Sequence, residues 1–262
     1  MDELFDDLPP SPPWSVIEFS FSCEGTDAEI VVMCNYRRFI ISAHKDNFSQ
    51  SPALKSKYLF FLEVAENYEL DGYTLEDFYN WIIEPLLPKL EELPEITTSL
   101  TLQHFLFPKT EKYVIRGYGE ELAAERCNES EDNVPIFGIQ LPEEVCVPWP
   151  QYNPKDIQLP EKRNIYGPPS YIPSKVHLKG GRAAFFKPMR PGDDKRFIHE
   201  LNTYQSIHEA HLDESLRISR LLGLVRNETG QVFGLLLTYI DCGHGTLLCA
   251  VKPDITSNLR QK

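Results

Sequence analysis

Residues 174–241 read SKVHLKGGRAAFFKPMRPGDDKRFIHELNTYQSIHEAHLDESLRISRLLGLVRNETGQVFGLLLTYID, and the order of signals in this stretch decides the fold. Val176 and Leu178 alternate with polar residues, Lys179-Gly180-Gly181-Arg182 supplies a turn, and Ala183 to Phe186 runs apolar before Lys187 and the strand-ending Pro188. The pattern predicts a hairpin. Pro191-Gly192-Asp193-Asp194 then places negative charge at the start of a helix over 194–210. Phe197, Leu201, Tyr204 and Ile207, with His208, recur at spacings of three and four, which gives that helix one apolar stripe. Residues 216–226 and 231–240 flank Asn227-Glu228-Thr229-Gly230, a good turn sequence, and predict a second hairpin.

Lys187 ends an apolar strand, and Glu200 sits mid-helix just beside the stripe that packs on it. A buried ammonium without a counter-charge costs several kcal/mol, so a lysine in this place needs an anionic partner. Glu200, thirteen residues on, lies within reach after a loop and two helical turns. These residues resemble the small lobe of the protein-kinase fold, in which a lysine on the third strand pairs with a glutamate on the following helix and holds nucleotide phosphates. Leu235 to Asp241 (LLLTYID) resembles the fifth strand running into the interlobe hinge. In combination, "FFKP", a glutamate-bearing helix and "GLLLTYID" are similar to a fungal kinase-like family. The resemblance implies that Lys187 contacts nucleotide phosphate, that Glu200 orients Lys187, and that the backbone of Thr238 and Ile240 meets an adenine. ATP is the one cofactor it implies, weakly bound at most.

Much of what the family uses for catalysis has no counterpart. Phosphoryl transfer there needs an aspartate that accepts the hydroxyl proton, a downstream asparagine and the aspartate of a D-F-G motif holding magnesium. His211-Leu212-Asp213 mimics the first, but Ile218 stands where the asparagine belongs. Ahead of Ser174, Arg163 to Ser170 (RNIYGPPS) offers only Gly167 for close phosphate approach, and its two prolines remove backbone donors. Only 21 residues follow Asp241, with Thr246 to Val251 reading as the start of one helix. The expectation is a truncated or pseudokinase-type protein that transfers no phosphate by itself. The alternative is a non-catalytic intracellular interaction module in which the Lys187 and Glu200 pair is structural.

Composition narrows the partners. The formal charge of −13 is unevenly placed: residues 1–132 hold 26 acids against 10 bases, a balance of −16, which leaves 13 acids and 16 bases after them. The acidic half repels nucleic acid and anionic membranes, both of which depend on clustered Lys and Arg. Six cysteines (Cys23, Cys34, Cys127, Cys146, Cys242, Cys249) show no C-x-x-C pair, so neither a zinc site nor a disulfide framework is indicated. His199, His208 and His211 lack the further ligands a metal requires. The start, MDELFDD, is acidic where a presequence would be basic, and the longest uncharged apolar run, 231–240, cannot span a bilayer. A cytoplasmic protein, or at least an intracellular one open to the nucleus, is expected, with a protein partner or self-association.

Four segments follow from the chain in order. Residues 1–13 are an acidic, proline-rich leader. Residues 14–122 form an α+β domain of unknown task. Within it a strand is predicted over 14–22, a hairpin over 28–42 turning at Cys34-Asn35-Tyr36, and helices over 54–68 and 74–93. Thr74 caps the second helix, with Asp77 completing a capping box and Pro85 and Pro88 kinking or ending it. Strand-like runs follow at 99–107 and 112–116. Arg37-Arg38 reads as the polar edge of the hairpin, and His44 and His104 stand alone. Residues 123–173 are acidic and then proline-rich, an extended connector packed on a domain by its aromatic residues, Trp149 among them. Residues 174–262 resemble a kinase small lobe with its hinge and the start of a truncated large lobe, so the fold class expected is α+β throughout.

Overall fold

The computed structural model describes residues 14–94, 99–127, 135, 137–160, 172–213, 216 and 218–241. The leader, the Arg163 to Ser170 stretch and the residues after Asp241, with Cys242 and Cys249, lie outside these. The chain is a mixed α+β protein that divides into two compact units, one of residues 1–136 with 167–173 and one of 137–166 with 174–262. Among the described residues no helix is long and apolar enough to cross a membrane.

The first unit is built on β1 (Trp14–Ser22), β2 (Asp27–Cys34) and β3 (Arg37–His44), followed by α1 (Pro52–Asn67), the small hairpin β4 (Glu69–Leu70) and β5 (Tyr73–Thr74), α2 (Leu75–Ile83), α3 (Leu87–Glu91), α4 (Leu102–Leu106), β6 (Lys109–Tyr118) and β7 (Glu121–Arg126). Its sheet runs β1-β2-β3-β6-β7, antiparallel except for the parallel pair β3 and β6. Asn35 and Tyr36 take positive φ angles of 46° and 56°, the conformation a two-residue hairpin turn requires. Period-two alternation sends Ile30, Val32, Phe39, Ile41, Tyr113 and Ile115 into one core with Tyr58, Phe61, Phe78 and Trp81 of the helices. Tyr58 buries its hydroxyl by reaching the Thr26 and Ala43 carbonyls, each at 3.0 Å. Thr74 donates its N–H and hydroxyl to Asp77 at 2.8 and 2.9 Å, the expected box at the start of α2. That helix stops at Ile83, a 3-10 turn over 84–86 intervenes, and α3 begins just ahead of Pro88.

Three expectations for this unit are corrected. Residues 99–107 hold the helix α4, not a strand: Thr101 donates its N–H to His104 Nδ1 at 3.1 Å, a capping box whose third position is histidine. Arg37-Arg38 is not a hairpin edge, because β3 pairs on both sides and Arg38 is buried. The last strand reaches Arg126, past the point where a connector was expected to begin.

At one end of the core face, the buried carboxylate of Glu111 gathers cations from three elements: Lys89 Nζ at 2.9 Å, Arg126 Nε at 3.7 Å and Arg37 at 3.9 Å. Tyr113 donates its hydroxyl to the same group at 2.9 Å.

The second unit comprises β8 (Ile139–Gln140), α5 (Glu143–Cys146), β9 (Gln151–Tyr152), β10 (Lys175–His177), β11 (Ala183–Pro188), α6 (Asp194–Glu209), β12 (Leu221–Arg226) and β13 (Gln231–Thr238). Its sheet runs β10-β11-β13-β12-β9, with β8 pairing the start of β13. Both predicted hairpins form. The supposed connector is different: residues 137–160 add β8 and β9 to the sheet, and Ile139, Leu141, Cys146 and Trp149 join the core under α6. Prolines on either side hold these strands to two residues each, and a sheet accepts such segments at its margins. Arg226 anchors the segment by gripping both oxygens of Glu143. Two glycines allow the close approach of neighbouring backbone: a Cβ on Gly234 would stand 2.3 Å from the Lys187 carbonyl, and one on Gly223 2.2 Å from that of Pro150.

Burial pushes the Glu111 carboxyl up, but the bonds from Lys89 and Tyr113 and the charge of Arg126 outweigh it and hold the group below its ordinary 4.5. A depressed carboxyl stabilises the fold above its unfolded value and loses that contribution as pH falls through the folded one. Urea midpoints taken from pH 7 down to pH 3 (about the range in which carboxyls titrate) will therefore drop less steeply in Glu111→Gln than in the native protein. An identical slope in the two proteins would remove the cluster from the account of acid stability.

Candidate functional site

β11 alternates across the sheet. Phe185 packs against the core that holds Leu235, Leu237, Phe197 and Leu201, while Ala184 and Phe186 are buried towards the opposite face. Lys187 shares the face of Phe185 and emerges at the strand's end, opposite Leu235 on β13. α6 opens with Asp194 in its first turn, where a negative charge meets the positive end of the helix dipole. Phe197 and Leu201 are its buried residues, and Glu200 lies between them along the helix. The apolar contacts that seat the helix thus bring the two charges together.

Lys187 Nζ contacts both oxygens of Glu200, each at 2.7 Å. The lysine side chain is 40% exposed and the glutamate 19%, so the pair sits at the rim of the core. One turn beyond Glu200, burial pushes the Tyr204 phenol up, and the glutamate's charge adds to the effect. The carboxylate is bound by the ammonium and its charge is felt by the Tyr204 phenol.

Thr238 and Ile240 lie at the far end of the same pair of strands. Thr238 opposes Ala184, three residues along β11 from Lys187, or about 10 Å of strand. Its N–H donates to the Arg220 carbonyl at 2.9 Å and its hydroxyl accepts from the Arg220 N–H at 2.9 Å. The donor of Thr238 is therefore committed within the fold. Ile240 follows the end of β13 and is 38% exposed. The structure joins Lys187 to Glu200 and places Thr238 and Ile240 apart from them, at the other end of β11 and β13.

Two residues of this neighbourhood carry no signal in the sequence. Arg220 donates through one terminal nitrogen to the carbonyls of Leu212 (2.7 Å) and Asp213 (2.9 Å), which ties down the loop after α6. His211-Leu212-Asp213 lies in that loop, with His211 at a φ of 44°. Lys175 sets its ammonium 4.7 Å from the centre of the Tyr239 ring, a cation–π contact from the edge strand. Lys175 begins one strand and Tyr239 follows another, a pattern visible only once the register is known. Among the described residues no group of three His, Cys, Asp or Glu is placed to hold a metal, and His208 packs edge-on against Trp149 with ring centres 6.1 Å apart.

No family model, no curated protein and no solved structure matches the chain. The geometry of the site therefore carries the functional argument by itself.

An ion pair exposed to this degree contributes about 1 kcal/mol, since solvent screens it. A double-mutant cycle with Lys187→Met and Glu200→Gln, read by urea unfolding, should give a coupling of about that size. Zero coupling would mean that the two charges stabilise nothing through each other.

Proposed function

We infer that residues 174–262 act as a kinase-like small lobe of pseudokinase type, which binds ATP weakly and transfers no phosphate by itself. Lys187 meets the nucleotide's phosphates, Glu200 holds Lys187 in place, and the backbone around Ile240, with the groups of Thr238 left over after its bonds to Arg220, receives the adenine. The observation that carries this reading is the contact of both Glu200 oxygens with Lys187 across a strand and the helix that follows it. The strand order β10-β11-β13-β12, with α6 inserted in the chain between β11 and β12, supports it. No D-F-G triplet occurs in the 262 residues, which argues against phosphotransfer. The setting we infer is intracellular and fungal, and the working partner is a protein or a second copy of the chain. Nucleic acid and membrane play no part in the reading.

A second reading has its own observation. Lys187 and Glu200 satisfy each other, and the Thr238 N–H is taken, as in a purely structural arrangement within a non-catalytic interaction module.

Magnesium-ATP added to the whole protein separates the two. The first reading expects a saturable rise in melting temperature that Lys187→Met abolishes. No rise, or an equal rise in the variant, assigns the pair to structure alone.

A further inference from the structure

The first unit contains a buried cation that makes no ion pair among the described residues. Arg38 occupies β3, the middle strand, with Met33 of β2 on one side of it in register and Thr110 of β6 on the other. It points to the face opposite Phe39 and Ile41, where Val31, Met33 and Thr110 are also buried. Only 2% of the residue is exposed. Its Nε donates to Thr110 Oγ1 at 2.8 Å, and that hydroxyl passes its own proton to the Pro108 carbonyl at 3.1 Å.

Burial pulls the Arg38 guanidinium below its usual range, and Glu18, whose charge opposes this, acts from beyond ion-pair distance. Arginine nonetheless stays protonated in proteins, so the group cannot escape the cost by losing its charge. Its neighbour Arg37 behaves otherwise, because on the other face it shares Glu111 with Lys89 and Arg126. Lys109 stands beside Arg37 in register. This end of an otherwise acidic unit thus gathers three cations on one buried carboxylate, with Lys109 beside them and Arg38 on the reverse face, and the local potential favours an anion.

A charge taken out of water needs a counter-charge, and Arg38 has one hydrogen bond among the described residues. Its two terminal nitrogens retain the planar fork that takes two oxygens of one anion at once. Among the described residues the fully enclosed side-chain polar atom without a partner is Ser51 Oγ, so the terminal nitrogens of Arg38 are not fully enclosed. We propose that Arg38 is the anchor of an oxyanion site on the covered face of the first sheet, its terminal N–H groups donating to two oxygens of a carboxylate or phosphate group. Thr110 is a positioning residue, since its hydroxyl fixes Nε and so aims the fork.

The test uses the whole protein and three salts at matched ionic strength: sodium acetate, sodium phosphate and sodium chloride. Melting temperature is followed across each concentration series, and binding is confirmed by calorimetry. The native protein gains melting temperature, saturably, in acetate or phosphate over chloride, and whichever gives the larger gain names the ligand class. Arg38→Met removes the gain. Arg38→Lys, which keeps the charge in case the methionine variant does not fold, weakens binding by on the order of tenfold because the fork is lost. The absence of any oxyanion effect in the native protein, or gains of equal size in native and variant proteins, overturns the proposal.

Discussion

A charge that is carried to the boundary of an apolar core must be met there by its opposite, and the second unit is arranged around one such meeting. Lys187 lies at the end of β11 beside α6, and Glu200 is the residue of that helix that meets it while Phe197 and Leu201 are buried on either side. The pair adds little energy at its exposure. Its effect is on register: a rotation of α6 by one residue would take the carboxylate away from the ammonium while pulling Phe197 or Leu201 out of the core. Apolar packing supplies the energy and the charges choose among the ways of packing.

The same rule works differently in the first unit. Glu111 is the enclosed member of its cluster, and the cations reach it from Lys89 on α3, Arg37 on β3 and Arg126 on β7. One carboxylate thereby ties a covering helix to two strands that are not adjacent in the sheet. Arg38, one residue from Arg37 but on the reverse side of the strand, has no such arrangement. Alternation along a strand separates two arginines that look alike in sequence into one held by a carboxylate and one held by a hydroxyl.

That separation marks where the sequence stopped being readable. The hairpins, the strand–helix–strand order of the second unit and the meeting of Lys187 with Glu200 were legible because each depends on local turn chemistry or on one helix repeat. Arg38 was misread because its burial comes from β6, some 70 residues later, and parallel pairing leaves no mark near either strand. Residues 99–107 (SLTLQHFLF) alternate like a strand, and the capping signal that decides for a helix was hidden by a histidine where glutamate or glutamine is usual. Residues 137–160 were hidden by their prolines, which exclude long strands but permit pairs of residues at a sheet's margin.

The parallel bridge between β9 and β12 has a consequence for biosynthesis. Gln151 and Tyr152 pair with Leu224 and Val225, so the partner of the earlier strand does not exist until about seventy more residues have been translated. At ribosomal speeds that is a wait on the order of several seconds. During it Ile139, Leu141 and Trp149 have no sheet to cover them, and the nascent polypeptide carries a greasy, proline-stiffened ribbon that chaperones are suited to shield. Closure of the second unit therefore waits on the synthesis of its β12–β13 hairpin.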